Sequence, residues 1–135
     1  MNEKAKGTFD VKMTPQTWSE NSSDHTLARF MLSKQYQGDL EATAEGQMLS
    51  AGDGSKGSSG VYVAVEKVTG KLGGRSGSFV LYHTGVMNRG VPDLCIKVAP
   101  GSGTGELTGL SGDLKIVMAD GKHSYEFTYS LVTVQ

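Results

Sequence analysis

The chain has 135 residues, which is the size of one domain, and we expect a single domain spanning residues 1–135. Nineteen glycines beside only three prolines, with 37% hydrophobic residues, exclude collagen, a long disordered tail and a membrane span. Thirteen Lys and Arg against 14 Asp and Glu give a net charge of −1, so no basic field attracts nucleic acid or a lipid surface. We therefore expect neither nucleic acid nor membrane among the partners.

The single cysteine, Cys95, cannot form an internal disulfide, and the first residues lack the apolar core of a secretory signal. A cytoplasmic location is the expectation that follows. A free cysteine without a resolving partner is usually an inert small hydrophobe, so we do not assign a thiol nucleophile here.

The first predicted strand runs from about Gly7 to Met13, because Phe9, Val11 and Met13 alternate with polar residues. The polar stretch 14–25 that follows is rich in turn-forming residues and is predicted to be a long loop carrying Trp18.

The next two predicted strands, Thr26 to Gln37 and Leu40 to Ala51, flank Gly38-Asp39 and are predicted to form a hairpin. A glycine- and serine-rich surface loop at 52–60 then leads into Val61 to Val68, the most β-prone run of the chain.

Glycines at 70, 73 and 74 turn the chain into a strand at 76–84, and residues 88–90 turn it into another at 91–99. After the glycine-rich segment 101–112, two alternating runs flank Asp120-Gly121, the strongest short hairpin signal of the sequence. The last run places Tyr125, Phe127, Tyr129 and Leu131 on one face.

These eight or nine strands, joined by short turns with no room for a parallel crossover, predict an all-β antiparallel fold. A barrel and a sandwich both satisfy the pattern. Glycines inside strands suit the corners of a small closed barrel, so we favour an eight-stranded up-and-down barrel ordered over about 7–131.

Two glycine-rich blocks, residues 65–85 and 100–112, carry a family resemblance. The second contains Gly101-Ser102-Gly103-Thr104-Gly105 followed by Gly109 and Gly112. The chain resembles a bacterial family of unknown function placed in the allene oxide cyclase-like barrel superfamily. The resemblance implies an eight-stranded antiparallel barrel and a homo-oligomer, and it implies no settled activity.

Glu66 and His83 are the candidate catalytic residues, because each lies in phase with apolar residues on a strongly β-prone strand. If those faces point inward, a carboxylate and an imidazole share one low-dielectric space and form an acid/base pair. The sequence alone does not decide which face points inward, since a one-residue slip exchanges Glu66 for Val65.

The alternative interpretation is structural. Glu66 is then satisfied by backbone amides or by Arg75, and His83 by a tyrosine hydroxyl, with both residues serving only to fix the fold.

Four further residues are candidate ligand contacts. Tyr62 and Phe79 share the phases of Glu66 and His83, and the guanidinium of Arg75 could hold a ligand carboxylate, although an ion pair with Glu106 or Asp113 is the more common arrangement. Trp18 could cover the barrel mouth or simply pack on the barrel end. The three histidines lie far apart in sequence, so no metal site and no cofactor are expected.

The function that these features favour is binding of a small, largely apolar molecule with a polar handle inside the barrel. The first alternative is an isomerase or cyclase that uses Glu66 and His83. The second is a non-catalytic assembly module whose two-sided apolar strands face other subunits.

Overall fold

The computed structural model describes residues 2–17, 26–52 and 58–132. Eight antiparallel strands close into a barrel in which each strand pairs with its sequence neighbours and the last pairs with the first. The predicted up-and-down barrel is therefore confirmed. The strands are β1 (Glu3–Gln16), β2 (Leu27–Gly38), β3 (Leu40–Ala51), β4 (Gly60–Leu72), β5 (Arg75–Asn88), β6 (Val91–Val98), β7 (Leu110–Ala119) and β8 (Lys122–Leu131).

Several strands are longer than the sequence pattern predicts. β1 extends through Thr14 to Gln16, which were expected to belong to a loop, because these residues pair with Arg29 to Met31 of β2. β4 likewise continues past Val68 to Leu72, since β3 and β5 both pair with this segment. Barrel closure supplies backbone partners even where side chains give no strand signal.

The hairpin expected at Asp120-Gly121 is present between β7 and β8. Both residues have positive φ, 52° and 75°, as a two-residue type I′ turn requires. The hairpin predicted between β2 and β3 is also confirmed, with Tyr36 opposite Ala42.

The up-and-down order gives the barrel two different ends. We define the mouth as the end where β1, β3, β5 and β7 finish and the other strands begin, and the base as the opposite end. The largest fully buried side chains include Tyr36, Leu40, Leu72, Phe79 and Phe127, which fill the barrel from its middle toward the base. At the mouth, by contrast, inward-phase residues such as Met87 and Leu94 stay exposed.

The glycine-rich connection between β6 and β7 closes the base. Thr104 donates its backbone N–H to the Ser78 carbonyl at 2.8 Å and accepts the Ser78 N–H on its hydroxyl at 3.0 Å. This contact places the buried side chain of Leu107, in the short 3₁₀ turn Gly105–Leu107, in the core. A Cβ at Gly77 would lie 2.1 Å from the Thr104 carbonyl oxygen, so the close approach requires glycine. The motif behind the family resemblance thus builds the base of the barrel.

Across the described part of the chain, no helix has the length and apolar character needed to cross a bilayer.

Candidate functional site

Three strands bring three ionisable side chains together inside the barrel. Lys34 of β2, Glu66 of β4 and His83 of β5 are 8%, 1% and 4% exposed. Each lies in the inward phase of its strand, alternating with outward neighbours. The sequence did not decide which face of each strand points inward. In the structure Glu66 and His83 both point inward.

The Glu66 carboxylate is the centre of this cluster. Its Oε2 atom lies 2.7 Å from the Lys34 Nζ and 2.7 Å from the His83 Nε2. Its Oε1 atom accepts a hydrogen bond from the Tyr36 hydroxyl. Three donors from three side chains therefore satisfy the buried carboxylate, as a buried charge requires.

These donors decide the charge state of Glu66. Burial by itself would raise the pKa of Glu66, but the His83 hydrogen bond and the Lys34 ammonium together outweigh it and lower the pKa to about 2. The pKa of Tyr36 moves the other way, because burial and the neighbouring Glu66 carboxylate both disfavour a phenolate. At neutral pH the cluster holds a carboxylate and an un-ionised phenol.

The Lys34 ammonium also lies against aromatic rings. Its Nζ is 5.2 Å from the centre of the Phe9 ring and 5.8 Å from that of Tyr36. Cation–π contacts of this kind partly replace the water that the ammonium loses on burial.

Gly46 on β3 lies directly opposite Glu66 in the sheet. A Cβ at position 46 would lie 2.0 Å from the Val65 carbonyl oxygen and 2.9 Å from the Glu66 Cβ. The absence of a side chain therefore lets β3 and β4 approach closely where the carboxylate enters the barrel.

An apolar cavity of about 320 Å³, open to solvent, lies at the mouth, above this cluster. The ends of β3, β4, β5 and β6 line it, and the lining includes Met48, Tyr62, Met87 and Leu94. A pocket of this volume is at the lower limit of those that hold small organic ligands.

Tyr62 connects the cavity to the buried cluster. Its half-buried ring lines the cavity and lies 6.4 Å, centre to centre, from the His83 imidazole. The ring is packed against Gly85, where a Cβ would lie 2.0 Å from the Tyr62 Cε1 atom. Burial and the nearby Glu66 carboxylate raise the pKa of the Tyr62 phenol, so its hydroxyl stays protonated at neutral pH.

The other residues singled out from the sequence lie elsewhere. Phe79 is buried and stacks on Phe127, with ring centres 5.8 Å apart. Arg75 is exposed at the β4–β5 turn, which belongs to the base, away from the cavity. Trp18 lies outside the described residues.

The ion-pair partners that the sequence suggested for Arg75 and Glu66 are not the ones found in the structure. Asp113 lies 3.8 Å from Lys97, and Glu106 accepts the Ser76 backbone N–H at 3.0 Å, so within the described residues neither carboxylate forms an ion pair with Arg75. The positive charge beside Glu66 comes from Lys34 on β2 and not from Arg75 at the β4–β5 turn.

Lys34 and Tyr36 are the members of the cluster that the sequence interpretation missed as site residues. The signal was present, because Lys34 occupies the same strand phase as Phe30, Leu32 and Tyr36. A lysine in the apolar phase of a strand predicts a buried partner of opposite charge. Glu66 was the acidic residue that also lay in the apolar phase of its strand.

Metal coordination has no obvious place here. In the parts of the chain that the structure describes, no group of three His, Cys, Asp or Glu side chains could hold an ion. Beside Glu66, the Lys34 ammonium already occupies the position that a metal cation would take.

Comparisons with known proteins give a fold and a family without an activity. The family profile DUF3224, described as a protein of unknown function, matches residues 5–129. A crystal structure of a DUF3224 protein of unknown function from Shewanella oneidensis MR-1 is 45% identical, with a TM-score of 0.91, and the alignment covers 99% of this chain and 100% of that one. No curated protein matches the chain at a significant level.

Proposed function

The chain belongs to the DUF3224 family, whose function is unknown, and from the geometry of its barrel we propose that it binds one small, largely apolar molecule with a polar handle. The cavity of about 320 Å³ at the mouth is the observation that carries the proposal. Eight-stranded barrels either fill their interior with side chains or hold one small ligand. This barrel is filled toward the base and leaves room at the mouth.

The lining of the cavity supports an apolar ligand. Met48, Met87 and Leu94 supply apolar contact area, and methionine side chains adapt to ligands of different shape. Tyr62 supplies a hydroxyl that can form a hydrogen bond with the polar handle of the ligand. Within the described residues, β6 and β7 pair at the single register position Lys97 opposite Asp113. Near the mouth the two strands are therefore not paired, and a ligand can enter the cavity between them.

The binding proposal is tested by filling the cavity. We expect wild-type protein to bind the neutral apolar probe N-phenyl-1-naphthylamine in titration calorimetry, and Met48→Trp to weaken binding at least about tenfold, because the larger ring occupies the cavity. The matched control is Thr43→Trp, whose side chain points outward from the same strand, away from the cavity. Equal affinity in both variants, or no binding by the wild type, would overturn the proposal.

A second candidate function is acid/base isomerisation or cyclisation of the bound molecule. The 2.7 Å contact between Glu66 and His83 favours it, and so does the resemblance to the allene oxide cyclase-like barrel superfamily. An ionised Glu66 that is already hydrogen-bonded by three donors orients His83, and the imidazole is then the proton acceptor.

Catalysis and simple binding differ in whether a proton leaves the ligand. If the second candidate holds, wild-type protein in D₂O accelerates deuterium incorporation next to the carbonyl of 2-tetralone, and His83→Gln removes the acceleration while the ketone still binds. Binding without any acceleration by the wild type would leave the barrel as a binding protein only.

A further inference from the structure

Methionine side chains are concentrated at the mouth of the barrel. The chain has six methionines, and each of the four strands that finish at the mouth carries one of them in the inward phase near its end. They are Met13 of β1, Met48 of β3, Met87 of β5 and Met118 of β7. These strands alternate with the other four around the closed barrel, so the four thioethers are distributed around the mouth.

The methionines of the mouth are open to solvent. The exposed fractions of Met13, Met87 and Met118 are 45%, 41% and 62%. Met48 is half-buried, but it lines the mouth cavity together with Met87, and that cavity is itself open to solvent. A small neutral oxidant can therefore reach both cavity methionines without any opening of the barrel.

Oxidation of a thioether turns an apolar side chain into a polar one. The sulfur lone pair attacks one oxygen of a hydroperoxide, the O–O bond breaks, and the other oxygen leaves with the proton as water or an alcohol. The sulfur is oxidised to a sulfoxide and the hydroperoxide is reduced, so no further reactant is needed. The sulfoxide oxygen then accepts hydrogen bonds from water.

A sulfoxide at the cavity wall opposes binding of an apolar ligand. The ligand would remove the sulfoxide oxygen from water without offering a donor in return, which costs free energy. Tyr62 is a donor in the lining, but a sulfoxide that accepted its hydrogen bond would deprive the ligand of that hydroxyl. In both cases the oxidised cavity binds the ligand less tightly.

Met31 provides a comparison within the same chain. Its exposed fraction is 47%, close to that of Met87, but it lies in the outward phase of β2 and does not line the cavity. Oxidation of Met31 therefore reports exposure alone, whereas oxidation of Met87 also changes the cavity wall.

We propose that Met48 and Met87 form a redox-sensitive modification site, at which a hydroperoxide produces sulfoxides and thereby releases the apolar ligand of the mouth cavity. The inference rests on the proposed binding function and adds its regulation. The change is reversible, because sulfoxide reductases restore the thioether.

The test compares binding before and after oxidation of the full chain. Every protein carries Cys95→Ser, so that the exposed thiol does not react. The proteins are treated with hydrogen peroxide, freed of it and titrated with N-phenyl-1-naphthylamine, and mass spectrometry locates the sulfoxides. In the Cys95→Ser parent we expect sulfoxides at Met31, Met48 and Met87 and an affinity at least about tenfold lower than before treatment. Incubation with both methionine sulfoxide reductases should restore the affinity.

Two leucine variants assign the effect to the cavity. Met48→Leu/Met87→Leu should bind the probe almost as the parent does, since leucine and methionine have similar volumes, and should keep its affinity after peroxide treatment. The matched control is Met31→Leu, which removes an exposed thioether outside the cavity and should lose affinity on oxidation as the parent does.

The outcomes separate the redox inference from the binding function beneath it. Full affinity of the parent with sulfoxides at both Met48 and Met87, or no sulfoxide at either position when Met31 is oxidised, would overturn the redox inference and leave the binding function standing. An equal loss of affinity in the double leucine variant would do the same. Absence of probe binding before oxidation would overturn the binding function itself.

Discussion

Glu66 is the centre of the buried ionic cluster, because three other polar side chains of the barrel interior are arranged around it. Lys34 neutralises its charge, Tyr36 and His83 donate to its oxygens, and Gly46 makes room for it. Buried ion pairs are costly to form and still more costly to break, since removal of one partner leaves an uncompensated charge. The same residues therefore contribute to the stability of the barrel and to its proposed chemistry.

Glu66→Gln should destabilise the protein by about 3–5 kcal/mol, because it leaves the Lys34 ammonium buried without a counter-charge. The double variant Lys34→Met/Glu66→Gln should recover a large part of that loss, since no unpaired charge remains. Urea unfolding of the wild type, the two single variants and the double variant measures the coupling. Strictly additive effects of the two substitutions would show that the pair is not coupled.

The low pKa of Glu66 makes the stability of the fold depend on pH in a defined window. The folded-state pKa is lowered from 4.5 to about 2, so the stabilisation is fully present above the ordinary value and is lost as the pH falls toward 2. The difference in unfolding free energy between wild type and Glu66→Gln should shrink from pH 5 to pH 2. Glu126→Gln, which removes an exposed carboxylate 3.8 Å from Lys6, is the control and should lower the unfolding free energy at pH 7 by less than about 1 kcal/mol.

At the scale of elements, the barrel is uneven around its circumference. β4 pairs with β3 and β5 along its whole length, whereas β6 and β7 share the single register position Lys97 opposite Asp113. Backbone groups on that edge of β6 consequently lack a regular strand partner near the mouth, where the cavity lies.

Hydrogen exchange should reveal this difference directly. We expect backbone amides in the segment 91–96 to exchange on the order of a hundredfold faster, or more, than amides in 61–68, because opening at the β6–β7 edge breaks few contacts. Residue-resolved exchange measured by NMR provides the test. Similar protection in both segments would contradict the loose edge and the entry route drawn from it.

At the scale of the whole molecule, the outside of the barrel carries several exposed apolar side chains on three adjacent strands. Outward residues of adjacent strands lie opposite one another, with Leu49 beside Val63 and Val65 beside Tyr82, and all are exposed. Faces of this kind on small proteins commonly mark subunit interfaces, and a self-complementary face gives a symmetric oligomer.

The homo-oligomer expected from the sequence stays a prediction, and this face is where a second copy of the chain would bind. Sedimentation velocity should show an oligomer for the wild type and a shift to monomer for Val65→Lys. Val117→Lys, at an exposed outward position of β7, is the matched control and should keep the oligomer. A wild type that remains monomeric at its highest soluble concentration would contradict the prediction.

The sequence by itself determined the all-β antiparallel class and the approximate positions of the strands, and it favoured a closed barrel over a sandwich. Alternation with period two, the glycine turns and Asp120-Gly121 are local signals, and short antiparallel connections leave few topologies. It also placed Glu66 and His83 in apolar phases, which predicted a shared interior without deciding it.

Only the tertiary structure decided which side chains Glu66 and His83 contact. Glu66 is 32 residues from Lys34 and 17 from His83, and their contact depends on the register of three strands, which a slip of one residue would reverse. The filling of the base by the segment around Leu107, and the space left at the mouth, likewise depend on how all eight strands close. Local pattern shows which residues share one face of a strand, whereas barrel closure decides which face points inward, which side chains touch and where the barrel remains empty.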